Sequence, residues 1–267
     1  MVTDKDATYV EYLLSEAGYP KTAEWLRGLS ASEVLDITTQ LDIAERPDVA
    51  SDVLAGLATH EDWCIRQAVA GNSSTDPTVL AVLARDKIWH VRCAVASNPF
   101  ASSSTLAKLA RDIVLNVRYA VGGNPSTSSG TLARLATVAD YDVQRAVARN
   151  SSTSRQTLAV LARSTASRVR YTVATNANAT PAILTVLVND SDADVRRAVV
   201  RSSSVSSKML AQLAKDKIWD IRYAVAKNPI TSKKTLAELA RDTNQEVRDA
   251  AIYSEYLRAE SSADDGA

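Results

Sequence analysis

The sequence predicts an all-α fold, a solenoid of about eight two-helix repeats of 26 residues behind an N-terminal helical cap. Three observations predict it. A hydrophobic residue, then Arg, then Ala-Val or a close variant recurs in step, with Arg66, Arg92, Arg118, Arg170, Arg196, Arg222 and Arg248 in one frame and Gln144 in the remaining slot. Six residues after the first seven slots stand Asn72, Asn98, Asn124, Asn150, Asn176, Ser202 and Asn228. Four residues further on comes a residue able to cap a helix: Asp76, Ser102, Ser128, Ser154, Thr180, Ser206 and Ser232. No insertion breaks the frame between residues 54 and 252. Self-similarity at one fixed period is the mark of stacked units that each bury a face against their neighbours.

The elements follow in order. Residues 1–49 are expected to form the cap, with helices near Asp6–Ala17, Ala23–Leu29 and Ser32–Ile43 and capping-box spacing between Ser30 and Glu33. Residues 50–260 are the expected solenoid. Ala50 occupies the first cap slot and has no side-chain acceptor, so the frame decays there. Within a repeat, the capping residue opens a first helix of about nine residues, too short to persist alone. Its paired leucines, Leu80/Leu83 through Leu236/Leu239, lie at i, i+3 on one face. A second helix buries positions such as Val91, Ala94 and Val95, with Ala allowing a close crossing. Asn98-Pro99 stops it, because Asn tolerates a left-handed C-terminal residue and Pro cannot continue the helix. Residues 245–259 read as a longer closing helix and 261–267 as a disordered tail.

Asp86, Asp112, Asp190, Asp216 and Asp242 each precede a framework Arg by six residues, which predicts an Asp–Arg ladder between turns. The alternative is a row of ligand-reading arginines. The Asn-Ser-Ser triplets at Asn72 and Asn150 fall on the repeat's turn and read as structural.

The net charge of zero conceals a division. Residues 1–62 hold 4 basic and 13 acidic groups, whereas residues 63–252 hold 26 basic and 14 acidic. Setting aside the seven framework Arg and five ladder Asp still leaves ten positive charges in excess, which favours an acidic partner or nucleic acid. Two cysteines make no disulfide framework, and no secretory or membrane-spanning apolar run is present, so a cytoplasmic protein without membrane association is expected.

The string Ile-Arg-Tyr-Ala-Val-Ala-Lys-Asn-Pro-Ile-Thr-Ser, with Thr-Leu-Ala-Glu-Leu-Ala-Arg-Asp after it (residues 221–242), resembles the leucine-rich repeat variant family. Near-copies at 91–112 and 117–135 extend the resemblance over roughly residues 50–252. Asp86 with Arg92 is also similar to the Asp–Arg element of HEAT-like repeats. The resemblance implies a curved, right-handed α-solenoid of paired short helices, one of them allowed to be 3₁₀, without horseshoe strands. A founding member of that family holds an iron–sulfur cluster on N-terminal cysteines. This chain has no Cys before Cys64, so no cofactor is carried over.

The positions two before and one after each framework Arg share a face of the second helix and vary while the frame holds. On this face and beside it, Tyr119, Arg145, Arg149, Tyr171, Arg197, Arg201 and Tyr223 are the expected partner-binding residues. Tyr and Arg are enriched at interface hot spots, and both also serve nucleic acids. Snorkelling over neighbouring helices is the bland alternative. His60, Cys64, His90 and Cys93 are a candidate metal set, since Zn²⁺ takes such ligands. Trp63, Trp89 and Trp219 share a slot expected to fill the corner between helices. No phosphate loop, dinucleotide turn, zincin motif or nucleophile elbow occurs. The expectation is a non-enzymatic scaffold for a macromolecular partner, protein first. A nucleic-acid binder, including a HEAT-like DNA repair glycosylase using Trp and Asp, and a metal protein are the alternatives. The oligomeric state is open.

Overall fold

The computed structural model describes residues 31–264, and the side chains of 36–257. The expected helices near Asp6–Ala17 and Ala23–Leu29, and the Ser30 capping box, lie outside the described residues. Among the described residues there are seventeen helices and no strand. They are α1 (Ala31–Glu45), α2 (Ser51–Leu57), α3 (Trp63–Gly71), α4 (Pro77–Leu83), α5 (Trp89–Ser97), α6 (Ser103–Leu109), α7 (Leu115–Gly123), α8 (Ser129–Leu135) and α9 (Tyr141–Arg149). There follow α10 (Arg155–Leu161), α11 (Ser167–Thr175), α12 (Pro181–Leu187), α13 (Ala193–Arg201), α14 (Ser207–Leu213), α15 (Trp219–Lys227), α16 (Lys233–Leu239) and α17 (Gln245–Asp264). The closing helix thus runs past the expected residue 259 into the segment read as a tail.

The chain divides into two compact units, Met1–Thr105 and Leu106–Ala267. Each is an α-helical stack of the same repeat. In the first, α1, α3 and α5 pack in succession; in the second, α7, α9, α11, α13, α15 and α17 do so. First helices such as α8, α12 and α16 pack beside the second helices and bury their leucines completely or nearly so, as Leu132, Leu184 and Leu236 show.

The first helices are α-helical and seven residues long, shorter than expected. All seven expected caps form. Asp76 accepts from Thr78 N at 2.7 Å, and Ser102, Ser128, Ser154, Thr180, Ser206 and Ser232 each accept from a backbone N three residues on at 3.2–3.4 Å. Ala50 makes no side-chain cap. The second helices approach closely through small residues: a Cβ on Gly122 would stand 3.2 Å from that of Ala146.

The expected left-handed Asn is corrected. Asn98 has φ −70° and ψ 122°, and Asn150 φ −69° and ψ 127°, both extended. Asn stands in this slot for its side chain. Nδ2 of Asn150 donates to Gly122 O at 2.9 Å and Asn124 O at 2.8 Å, while Oδ1 accepts from Ser152 N at 2.8 Å. Asn98 does the same to Ala70 O and Asn72 O, both at 2.9 Å. Only an amide offers two donors and an acceptor in this geometry, so each such Asn ties carbonyls of the preceding repeat to its own turn. The buried amides of Asn72 and Asn150 are committed to this role. Thr127, Thr153 and Thr231 add a buried hydroxyl that donates 2.6 Å to the carbonyl six residues back.

The Asp–Arg ladder forms, with a different pairing from the one read in sequence. Four framework arginines meet the Asp twenty residues ahead, in the next repeat: Arg66–Asp86, Arg170–Asp190, Arg196–Asp216 and Arg222–Asp242, all at 2.6 Å. The Asp six residues back supplies its backbone carbonyl instead, as Asp190 O does for Arg196 at 2.8 Å. Burial acts to raise the carboxyls of Asp86, Asp190 and Asp216, but hydrogen bonds from the partner Arg and a backbone N–H outweigh it and hold each below its ordinary value. Arg222's hydrogen bond is the chief cause of the same lowering at Asp242. Buried charges are tolerable where every donor and acceptor is matched in this way. The framework arginines of these rungs are therefore spent on stacking.

Candidate functional site

Within the second unit, helices α7, α9, α11 and α13 present an open groove of about 750 Å³. Six of the seven expected partner-binding residues line it: Tyr119 from α7, Arg145 and Arg149 from α9, Tyr171 from α11, and Arg197 and Arg201 from α13. The stacking explains this assembly. Core Val and Ala side chains fix the rotation of each second helix, so residues one and five positions after the framework slot, one helical turn apart, emerge on one side.

Tyr223 is not brought into the groove. It stands edge-on to Trp219, with ring centroids 6.4 Å apart, and beneath the Lys227 ammonium at 5.5 Å. The lining also holds Arg168, Asp192, Thr172 and Thr175, which were not among the expected binding residues. Arg168 lies in the slot two before the frame and was legible there; the others depend on how α11 and α13 sit together.

Five arginines and two aspartates give the groove a positive lining. The carboxylates are engaged. Asp192 caps α13 through Asp194 N at 2.8 Å, and its carboxyl is lowered chiefly by a hydrogen bond from Ser167. Asp194 pairs with Arg197 at 3.0 Å, and Arg197 also reaches Asp220 at 2.7 Å. Arg145 pairs with Asp142 at 3.1 Å. The guanidinium groups of Arg149, Arg168 and Arg201 make no ion pair or hydrogen bond among the described residues. Tyr119 and Tyr171, 43% and 42% exposed, offer their rings to the groove.

The candidate metal set does not assemble. Among the described residues no group of three or more His, Cys, Asp or Glu is arranged to hold an ion. His60 Nδ1 accepts from Asp62 N at 2.9 Å, and His90 stacks on Trp89 at 3.7 Å with Trp63 at 5.0 Å. Cys64, expected on the outward face, is buried, and burial followed by nearby Asp62 pushes its thiol up to about 12. Cys93 is half-buried. Of the tryptophan column, Trp63 and Trp89 are half-buried as corner fillers, whereas Trp219 stands 46% exposed. Among the described residues no helix is long and apolar enough to cross a membrane.

No family model matches the chain. No curated protein matches it either. Among solved structures the chain is similar to a leucine-rich repeat variant with a novel repetitive structural motif, with a TM-score of 0.61 and 24% identity over 76% of this chain and 81% of the other. An engineered protein gives a TM-score of 0.35 at 16% identity, covering 93% of this chain and 77% of its own. A computationally designed armadillo repeat protein for modular peptide recognition gives 0.21 at 13% identity, covering 84% and 93%. The first likeness establishes the fold, a helical stack of the leucine-rich repeat variant kind; the other two superpose too poorly to add to it.

Proposed function

We propose that this chain is a non-enzymatic scaffold that holds a segment of a protein partner in the groove of α7, α9, α11 and α13. The observation that carries the reading is the division of labour among its residues. The repeated Arg, Asp, Asn and Leu are committed to the stack, while six variable-face residues converge on one opening. Exposed Tyr beside Arg is the composition of interface anchors. Both groove carboxylates are engaged in capping or ion pairing, which favours binding over acid–base chemistry.

The test compares wild-type chain with Tyr171→Ala/Arg197→Ala as baits in lysate of the native host, with binding then measured on the isolated partner. Loss of the same partner in both formats is expected. Recovery of identical proteins by both baits would exclude this groove.

The groove's arginines also favour a second reading, nucleic acid. No tryptophan lines the groove, so the glycosylase arrangement of Trp and Asp against a flipped base has no support there. A salt titration of single-stranded and duplex DNA separates the readings: a slope of several phosphate equivalents favours nucleic acid, and no binding at low salt eliminates it.

A further inference from the structure

The three uncompensated arginines deepen the proposed function. Arg149 and Arg201 close α9 and α13, where a cation also suits the negative end of the helix dipole. That accounts for their position without any ligand. It does not account for Arg168, the second residue of α11. There the dipole disfavours a cation, and the equivalent slots of α9, α13 and α15 hold Asp142, Asp194 and Asp220. Those three aspartates are all paired with arginines, whereas Arg168 has no ion pair among the described residues. A residue that breaks the local rule without an internal compensation marks a functional position.

We propose that the groove reads an extended acidic peptide, with Arg149, Arg168 and Arg201 as its carboxylate contacts. This rests on the reading of the groove as a protein-docking site. Neighbouring helices pack about 8–10 Å apart, so Arg149 and Arg201, with α11 between them, stand roughly 20 Å apart by that spacing. An extended chain rises about 3.3 Å per residue, so about six residues bridge them. Tyr119 and Tyr171 supply flat surface for the intervening residues. The Asp194 carboxylate lies in the same lining as Arg168 and Arg201. An evenly charged phosphate backbone would meet that carboxylate, whereas spaced acidic side chains avoid it. The charge pattern therefore favours a peptide over a nucleic acid.

The test is fluorescence anisotropy with the full chain and three labelled probes: an acetylated, amidated (Glu-Ala-Ser)₄ peptide, its Gln counterpart, and a twelve-residue oligothymidylate. The Glu peptide should bind roughly tenfold more tightly than the Gln peptide, as expected for a few partly exposed charge pairs. It should also bind more tightly than the oligonucleotide. Arg149→Gln/Arg168→Gln/Arg201→Gln should lose about that same tenfold, with its thermal midpoint retained, and exposed Arg241→Gln should change nothing. Equal affinity for the Glu and Gln peptides, no binding of the Glu peptide, an unaffected triple variant, or tighter oligonucleotide binding overturns the proposal. If the partner capture is lost in Tyr171→Ala/Arg197→Ala while the two peptides bind alike, only the acidic specificity falls, and the groove stands as the docking site.

Discussion

The Oγ of Ser164 donates a 2.8 Å hydrogen bond to Oε1 of Gln144, across the same twenty-residue separation that joins Arg to Asp in the charged rungs. Gln144 keeps the rest of the rung as well, since its Nε2 donates to Val138 O at 3.0 Å where an Arg would reach the carbonyl six residues back. The two departures from the repeat pattern therefore compensate one another. One repeat earlier no such compensation exists: Val138 occupies the Asp slot facing Arg118, and the buried Nε of Arg118 has no partner among the described residues.

Restoring the charged rung tests this coupling. Gln144→Arg alone places a guanidinium against a serine, and Ser164→Asp alone places a half-buried carboxylate against an amide, so each single change should be neutral or destabilising. The pair should recover the 2.6 Å geometry of its neighbours. A double-mutant cycle in urea is expected to show favourable coupling of about 1–3 kcal/mol. Additive effects would mean that the twenty-residue pairing is not energetically linked.

The ladder also sets a pH dependence. Asp86, Asp190, Asp216 and Asp242 all lie below the ordinary value of 3.8 in the folded chain, so folding favours their carboxylates. Their contribution is complete above 3.8 and is lost as pH falls through the lower folded values. Stability followed by circular dichroism should be flat from neutral pH to about 5 and drop below about 4. Asp216→Asn should lower stability at neutral pH and make the acidic drop shallower. An unchanged acid limb in that variant would remove Asp216 from the effect.

The Asn column predicts a strict requirement for the amide. Asn150→Ala strands the carbonyl of Gly122, removes one of the two hydrogen bonds to Asn124 O, and should cost about 1–3 kcal/mol. Asn150→Asp should be worse, since a carboxylate would face two carbonyl oxygens with no proton to share. Chemical denaturation of the two variants checks the order. If Asp were tolerated better than Ala, the slot would serve the turn alone.

The period of 26 residues, the seven caps and the paired leucines are local signals, and they determined that the chain is an α-helical stack. Such features act within one helix or between a helix and its neighbour, so their spacing in sequence carries their meaning. Partner choice does not work that way. Arg196 pairs with Asp216 rather than Asp190, and Asn150 reaches back to Gly122, because stacking sets side by side residues that are 20 and 28 positions apart. Counting within one repeat identifies the residue types but assigns the wrong partner and the wrong role. The same holds at the groove. Alternation of Tyr and Arg was visible in the sequence, but only the packing of α7, α9, α11 and α13 placed Tyr171 between arginines of two neighbouring helices and left Tyr223, against Trp219, outside the lining. Period follows from local propensity and burial, whereas pairing follows from the distances that burial creates.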